Sequence, residues 1–186
     1  MNTEIQNALE VLQNGGIILY PTDTVWGIGC DASNEEAVKK VYALKQREES
    51  KSMIVLMNNE KMLYNVFREL PEVVWDILDN SEKPTTVILD NPKNVAANLI
   101  AEDNSLGVRI VKDPFCYKLM ERLKRPLVST SANLTGMFAP KSFKEISPEI
   151  LKGVDYVVNL HKDKVCKNPS TIIKLGLDSQ VKIIRK

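Results

Sequence analysis

The chain has 186 residues, 25 basic and 24 acidic side chains, and a formal net charge of +1, which suits one well-buried domain of ordinary composition. With no overall excess of positive charge, any attraction to nucleic acid or to a membrane surface has to be local. No apolar run approaches the roughly 18 residues of a spanning helix, and the opening MNTEIQNALEVLQN lacks the basic start of a signal peptide, so a cytoplasmic location is expected.

Residues 3–14 read as an amphipathic helix, with Ile5, Ala8, Leu9 and Leu12 on one face and Gly15 as its stop. Residues 17–20 form a short apolar run, a buried strand ended by Pro21. Thr22-Asp23-Thr24 then places three short polar side chains where a strand end meets a loop. In open α/β sheets ligands sit at that edge. Gly27 and Gly29 let the backbone turn or approach a ligand closely. Ser33 and Glu36 fit a capping box, and Ala37, Val41 and Leu44 continue at helical spacing. This helix ends in a cationic group, Lys45 and Arg47 with Lys51 beyond, before a strand over 53–57. A hydroxyl-rich loop and a cationic loop thus stand at the two ends of one βαβ-like unit, where both can face one anionic ligand.

Residues 60–67 and 71–78 read as two helices, the second with Pro71 at its first position. Trp75 is expected in the core rather than as a stacking platform. Residues 84–89 and 105–110 read as strands. Within the second, Arg109 is a cation in an apolar pattern, and a buried arginine needs an anion. That anion is either a structural carboxylate or a ligand. Asp113-Pro114 opens a helix running to about 124. Residues 126–128 form a strand that runs into Ser129-Thr130-Ser131-Ala132-Asn133-Leu134-Thr135-Gly136, where five of eight residues carry short hydroxyl or amide groups. By itself that is an ordinary polar turn; directly after an apolar strand it also suits phosphate. A helix over 143–151 and strands over 154–160, 170–175 and 181–185 complete the chain. Such a run of late strands argues for a mixed sheet rather than a pure βαβ repeat.

Cys30, Cys116 and Cys166 lie far apart and His161 is the one histidine, so the pairs a zinc site needs are missing and the thiols read as reduced. His161, beside Lys162, reads as a solvated surface residue, and nothing near it supports a Ser-His triad. What the chain does carry is Lys45, Arg47, Lys51 and Arg109 with the hydroxyls of Thr22, Thr24, Ser129, Ser131 and Ser170. That set suits a polyphosphate and a carboxylate. Phosphoryl and nucleotidyl transfers depend on alignment and charge stabilisation more than on covalent help from the protein.

Tyr20-Pro21-Thr22-Asp23-Thr24-Val25-Trp26-Gly27 resembles the PT[DE]TVYG opening of the threonylcarbamoyl-AMP synthases, the YrdC/Sua5 family. Lys45-Gln46-Arg47 and Ser131-Ala132-Asn133 match that family's KxR and SxN signature, and Ser170-Thr171-Ile172-Ile173 resembles its late STII strand. The resemblance spans roughly residues 5–186 and implies a single α/β domain over 1–186: an open, twisted, mixed sheet with surrounding helices and a wide cavity on one side. It implies a short-form L-threonylcarbamoyladenylate synthase, a nucleotidyltransferase that joins L-threonine, bicarbonate and ATP into threonylcarbamoyl-AMP and pyrophosphate for t6A at position 37 of tRNA. Mg2+ would accompany ATP by bridging phosphate oxygens, and the proteins of the t6A transfer machinery would be partners.

Carried over residue by residue, the resemblance puts Arg47, Lys51, Ser105, Ser131 and Arg185 around ATP, and Thr24, Arg109, Ser129 and Ser170 around threonine. Lys45 and Asn133 are expected to shape the phosphate region, with Lys45 and Arg47 the catalytic cations. The chain departs from the family pattern at Glu48 and Ser52-Met53, at Leu56 in place of a histidine, at Val111 in place of a proline, and at Ala139 in place of a serine. Two alternatives stand beside this reading: a YciO-like paralogue of the same fold, and an RNA-binding module using Lys39, Lys40, Lys45, Arg47 and Lys51 as a basic patch for tRNA or double-stranded RNA. Against the second, the patch lacks interleaved aromatics.

Overall fold

The computed structural model describes residues 1–49, 53–166, 169–177 and 180–185. Its first helix, α1 (Asn2–Gln13), buries Ile5, Ala8, Leu9 and Leu12, the four residues that recur at helical spacing. Gly15 follows at φ +70°, a conformation that strains any side chain, and the helix stops there. Strand β1 (Ile18–Tyr20) enters the core with every residue buried. Gly27 and Gly29 lie in β2 (Gly27–Gly29), which turns back to pair antiparallel with β1. Packing explains the second of them. A Cβ on Gly29 would come within 2.1 Å of the Val128 carbonyl oxygen and 2.9 Å of the Tyr20 ring.

Helix α2 (Glu35–Lys45) is capped by Asn34, whose side chain accepts from the Ala37 amide at 3.0 Å. The capping box centred on Ser33 does not form, because that hydroxyl is taken: it donates at 2.7 Å to Asp31, a buried carboxylate that also holds Arg125 at 2.6 Å. Strand β3 (Ile54–Met57) follows. Helix α3 (Glu60–Val66) is capped by Asn59, and α4 (Val73–Asn80) begins two residues after Pro71, with Trp75 half-buried against Tyr64 at 5.3 Å between ring centroids. Strands β4 (Thr85–Asp90) and β5 (Ser105–Ile110) lead to α5 (Pro114–Leu123), where the Asp113 side chain accepts from the Phe115 and Cys116 amides. Strand β6 (Leu127–Ser131) draws Ser129, Thr130 and Ser131 out of the expected turn and into the sheet. The helix expected over 143–151 is broken into a 3-10 turn and α6 (Pro148–Gly153), since Pro148 has no amide to continue a ladder but fits a helix's first position. Strands β7 (Tyr156–Val157), β8 (Thr171–Leu175) and β9 (Val181–Arg185) come last.

The described strands form one mixed sheet in the order β7-β1-β2-β6-β3-β5-β4-β8-β9. Three neighbouring pairs are parallel, β1 with β7, β3 with β5 and β4 with β8, and the others are antiparallel. The sheet is open, with β7 and β9 at its edges, and the helices surround it. The βαβ-like unit therefore runs through β2, α2 and β3 rather than from β1, and β6 is inserted between its two strands.

Lys45 fixes that insertion. Its side chain is 1% exposed, and its Nζ donates to the carbonyl oxygens of Ser131 at 2.5 Å and Asn133 at 2.6 Å. The Thr135 amide donates back to the Lys45 carbonyl at 3.0 Å. The end of α2 is thus bonded to the end of β6.

Gly29→Ala is expected to lose roughly 2 kcal/mol to overpacking, which for a chain of this size lowers the melting temperature by about 4–8 °C. An unchanged melting temperature would show that β6 can move aside. Lys45→Met is expected to cost roughly 1–3 kcal/mol, because carbonyls lose their donor. Burial, reinforced by Arg47, pushes the Lys45 amine down from 10.5 to about 8. The folded chain therefore releases this proton before the unfolded chain does. The Lys45 contribution is constant below about pH 8 and grows from there towards 10.5. Urea unfolding of both proteins across that window should show the stability gap widening with pH, and a constant gap would contradict the lowered value.

Candidate active site

Strand register assembles the site. Ser131 lies opposite Gly27 across β6 and β2, Ser129 opposite Ile54 across β6 and β3, and Arg109 opposite Leu56 across β5 and β3. Ile172 of β8 lies between Thr86 of β4 and Arg185 of β9. Residues separated by most of the chain's length thus meet on one cavity of about 290 Å3. Three guanidinium groups line it, from Arg47, Arg109 and Arg185. All five of the expected hydroxyls join them, from Thr22, Thr24, Ser129, Ser131 and Ser170. No carboxylate is among the described lining residues. Such a surface attracts anions and offers them both charge and directed hydrogen bonds.

Arg109 is 3% exposed, and its Nη2 lies 3.1 Å from Oδ1 of Asp23. The two groups are at ion-pair distance without hydrogen-bond alignment, and neither Arg109 Nε nor Asp23 Oδ1 has a hydrogen-bond partner among the described residues. Asp23 faces a second cavity, of about 670 Å3, bordered by Trp75, Leu78 and Pro84. The ion pair is therefore a partition, with Asp23 behind Arg109 as seen from the hydroxyl-lined side. Both readings of Arg109 meet here. It has a structural carboxylate, and it lines the cavity as a cation that a ligand anion can meet.

Arg185 donates from Nε and Nη2 to the Ser170 carbonyl oxygen at 3.0 and 2.7 Å. Burial, and then the charge of Arg109, pushes its pKa below the ordinary arginine value. The Ser170 hydroxyl shares a 2.8 Å hydrogen bond with the hydroxyl of Thr86, which is fully buried. Thr86 escaped the sequence reading because a threonine at a strand start carries no distinguishing signal. Arg47 is half-buried, just past the left-handed Gln46 that ends α2.

Three expected site residues do not line the cavity. Lys45 is committed to two carbonyls, and its ammonium ties the end of α2 to the loop that follows β6. Asn133 donates from its amide to the Leu134 and Met137 carbonyl oxygens at 2.9 and 2.8 Å, folding its own loop. Ser105 starts β5, the far end from Arg109, and its hydroxyl donates to Asp103 at 2.5 Å. Lys51 lies outside the described residues. Ala139 does line the cavity, with no hydroxyl to offer. The three cysteines are free and buried, and His161 is exposed in a turn at φ +54°. No group of three or more His, Cys, Asp or Glu among the described residues can hold a metal ion, and no described helix is long and apolar enough to cross a membrane.

Comparison with known proteins gives the same sheet and the same family. A Methanocaldococcus jannaschii protein is 38% identical over 186 residues, covering 97% of this chain and 86% of its own length. The threonylcarbamoyl-AMP synthase of Acinetobacter baumannii is 32% identical over 152 residues, covering 78% of this chain and 80% of its own length. The crystal structure of Pyrococcus abyssi Sua5 complexed with L-threonine, described as P. abyssi Sua5, superposes with a TM-score of 0.84 at 23% identity, covering 94% of this chain and 52% of that one. This chain therefore spans about half of that protein, and the likeness shows the fold. The family model Sua5/YciO/YrdC, described as Telomere recombination, matches residues 10–186. The chain belongs to the Sua5/YciO/YrdC family.

Proposed function

We propose that the chain is an L-threonylcarbamoyladenylate synthase, a nucleotidyltransferase that forms threonylcarbamoyl-AMP and pyrophosphate from L-threonine, bicarbonate and ATP. The observation that carries this reading is the convergence of three guanidinium groups and the five expected hydroxyls on one cavity with no carboxylate among its described lining residues. The relative named threonylcarbamoyl-AMP synthase supports it as an enzyme of this kind.

In this reading Arg47, Ser131 and Arg185 hold the phosphates of ATP, with Lys51 added by resemblance. Thr24, Arg109, Ser129 and Ser170 hold the amino acid. Bicarbonate gives up hydroxide to become carbon dioxide, which the threonine amine captures as a carbamate; the amine proton and that hydroxide leave as water. A carbamate oxygen then attacks the α-phosphorus, the bond from that phosphorus to the bridging oxygen breaks, and pyrophosphate leaves with the negative charge. Nothing in that sequence requires a histidine base. It requires alignment of the attacking oxygen and positive charge where the leaving group forms, which Arg47 and Arg185 supply. Threonine's own carboxylate stays charged throughout, and the guanidinium of Arg109, which lines the cavity, suits it. The cavity offers cations and hydroxyls rather than metal ligands, so Mg2+ would enter as part of the substrate MgATP, on phosphate oxygens and water. The product would pass to proteins that transfer the threonylcarbamoyl group to tRNA.

Purified protein given ATP, Mg2+, bicarbonate and L-threonine is expected to release pyrophosphate and form the adenylate, and omitting either threonine or bicarbonate is expected to stop it. Equal release without threonine would sink the assignment. Arg109→Lys keeps the charge but loses the fork. It is expected to raise the threonine requirement by about tenfold or more, equivalent to roughly 1.4 kcal/mol, with ATP affinity nearly unchanged and the melt close to wild type. If the pair with Asp23 is purely structural, the substitution will instead lower the melting temperature and weaken both substrates alike.

A further inference from the structure

Thr22 lines the cavity, 3% exposed, and its hydroxyl has three close neighbours. It stands 2.7 Å from the Val25 carbonyl oxygen and donates to it, a direction that is fixed because a carbonyl accepts and never donates. The Thr24 amide donates to the Thr22 oxygen at 3.1 Å. The Thr24 hydroxyl lies 3.0 Å from the same oxygen. A hydroxyl has one proton, and that of Thr22 is already on Val25. In the hydroxyl pair, therefore, Thr24 is the donor. Its own proton is spent on Thr22, and what its oxygen presents to the cavity is lone pairs alone. Thr24 is 5% exposed, so bulk water does little to blur this polarity.

We propose that Thr22 is a positioning residue that makes the Thr24 hydroxyl an acceptor only, so that the site receives a hydrogen-bond donor of the bound amino acid there and repels a carboxylate. The inference rests on the proposed function and deepens it, because it fixes which way round the amino acid enters. An amino acid has donors at its amine and, in threonine, at its β-hydroxyl, while its carboxylate can only accept. An acceptor-only oxygen facing a carboxylate leaves lone pairs opposed in a desolvated place, and discrimination of this kind comes from the repulsive arrangement as much as from the attractive one. The carboxylate is thereby directed to Arg109, whose Nε keeps an unused donor. The two ends of the ligand are sorted by two side chains of opposite hydrogen-bond polarity. The loop that sets this polarity is short and local: Thr22, Thr24 and Val25 span four residues, so the orientation survives small shifts of the surrounding strands.

The test uses calorimetric titration of L-threonine and, separately, of ATP into wild type, Thr22→Val and Thr22→Ser. Valine keeps the shape of Thr22 and removes its hydroxyl, which frees the Thr24 proton to turn into the cavity. The expected result is a threonine Kd raised about tenfold in Thr22→Val, an ATP Kd within about twofold of wild type, and recovery in Thr22→Ser, since tenfold corresponds to one lost hydrogen bond. If the valine variant does not fold, Thr22→Ala removes the same hydroxyl and is read the same way. O-methyl-L-threonine separates the two donors: weaker binding to wild type, with the difference abolished in Thr22→Val, assigns the β-hydroxyl, and equal binding of both ligands, weakened together by the variant, assigns the amine. Either result supports the proposal. An unchanged threonine Kd in a folded variant overturns it, as does equal weakening of threonine and ATP, or failure of Thr22→Ser to recover. Wild-type protein that releases pyrophosphate with threonine and bicarbonate while Thr22→Val binds threonine normally overturns this inference alone; wild type that binds no threonine overturns the reaction assignment with it.

Discussion

The ammonium of Lys45 reaches the carbonyl oxygens of Ser131 and Asn133, 86 and 88 residues further along the chain, and closes the end of α2 onto the end of β6. A lysine with its side chain 1% exposed is costly to keep charged. The cost is met because the bonds it makes hold a strand that sequence order would not put there. With β6 between β2 and β3, Ser129 and Ser131 stand beside Ile54 and Gly27, and Arg47, two residues past Lys45, is carried to the rim of the same cavity. The close approach of Gly29 to Val128, and the bond from Tyr20 to that same carbonyl, secure the other side of the inserted strand.

The electrostatics of the site follow from its lining. Three arginines face one cavity, no carboxylate is among its described lining residues, and Asp23 stands behind Arg109. Burial, and then the charge of Arg109, lowers the pKa of Arg185. The hydroxyls add direction. Ser170 is bonded to Thr86, and Thr24 to Thr22, so their protons are constrained by neighbours before any ligand arrives. Preorganised donors and acceptors of this kind need little rearrangement as charge shifts during a reaction.

The second cavity, behind Asp23, gives the same ion pair another face. It is larger than the hydroxyl-lined one and bordered by Trp75 and Leu78. Trp75 is thus neither fully core nor a free platform: one side packs on Tyr64 and another borders open space.

Local chemistry was legible in the sequence wherever neighbours along the chain decide the outcome. The amphipathic face of α1, the Asp113-Pro114 start of α5 and the bounds of β5 follow from helical spacing, capping and β-branched runs. A cation in an apolar strand announced that Arg109 would need an anion, and the motifs around Thr24, Arg47, Ser131 and Ser170 announced an anion site. The sequence could not tell that Gly27 and Gly29 lie in a strand, since glycine alone signals a turn as readily as a close approach. Nor could it tell which hydroxyls and cations face the cavity. Lys45 and Asn133 belong to the same motifs as Arg47 and Ser131 yet turn to backbone carbonyls, and Ser105 shares a strand with Arg109 but sits at its other end. Those outcomes depend on strand order and register, which are set by contacts between residues far apart in the chain. The sequence by itself determined the chemical types available to the site; the tertiary structure decided their placement, because only the insertion of β6 and the pairing across β3, β5, β4, β8 and β9 bring them onto one face.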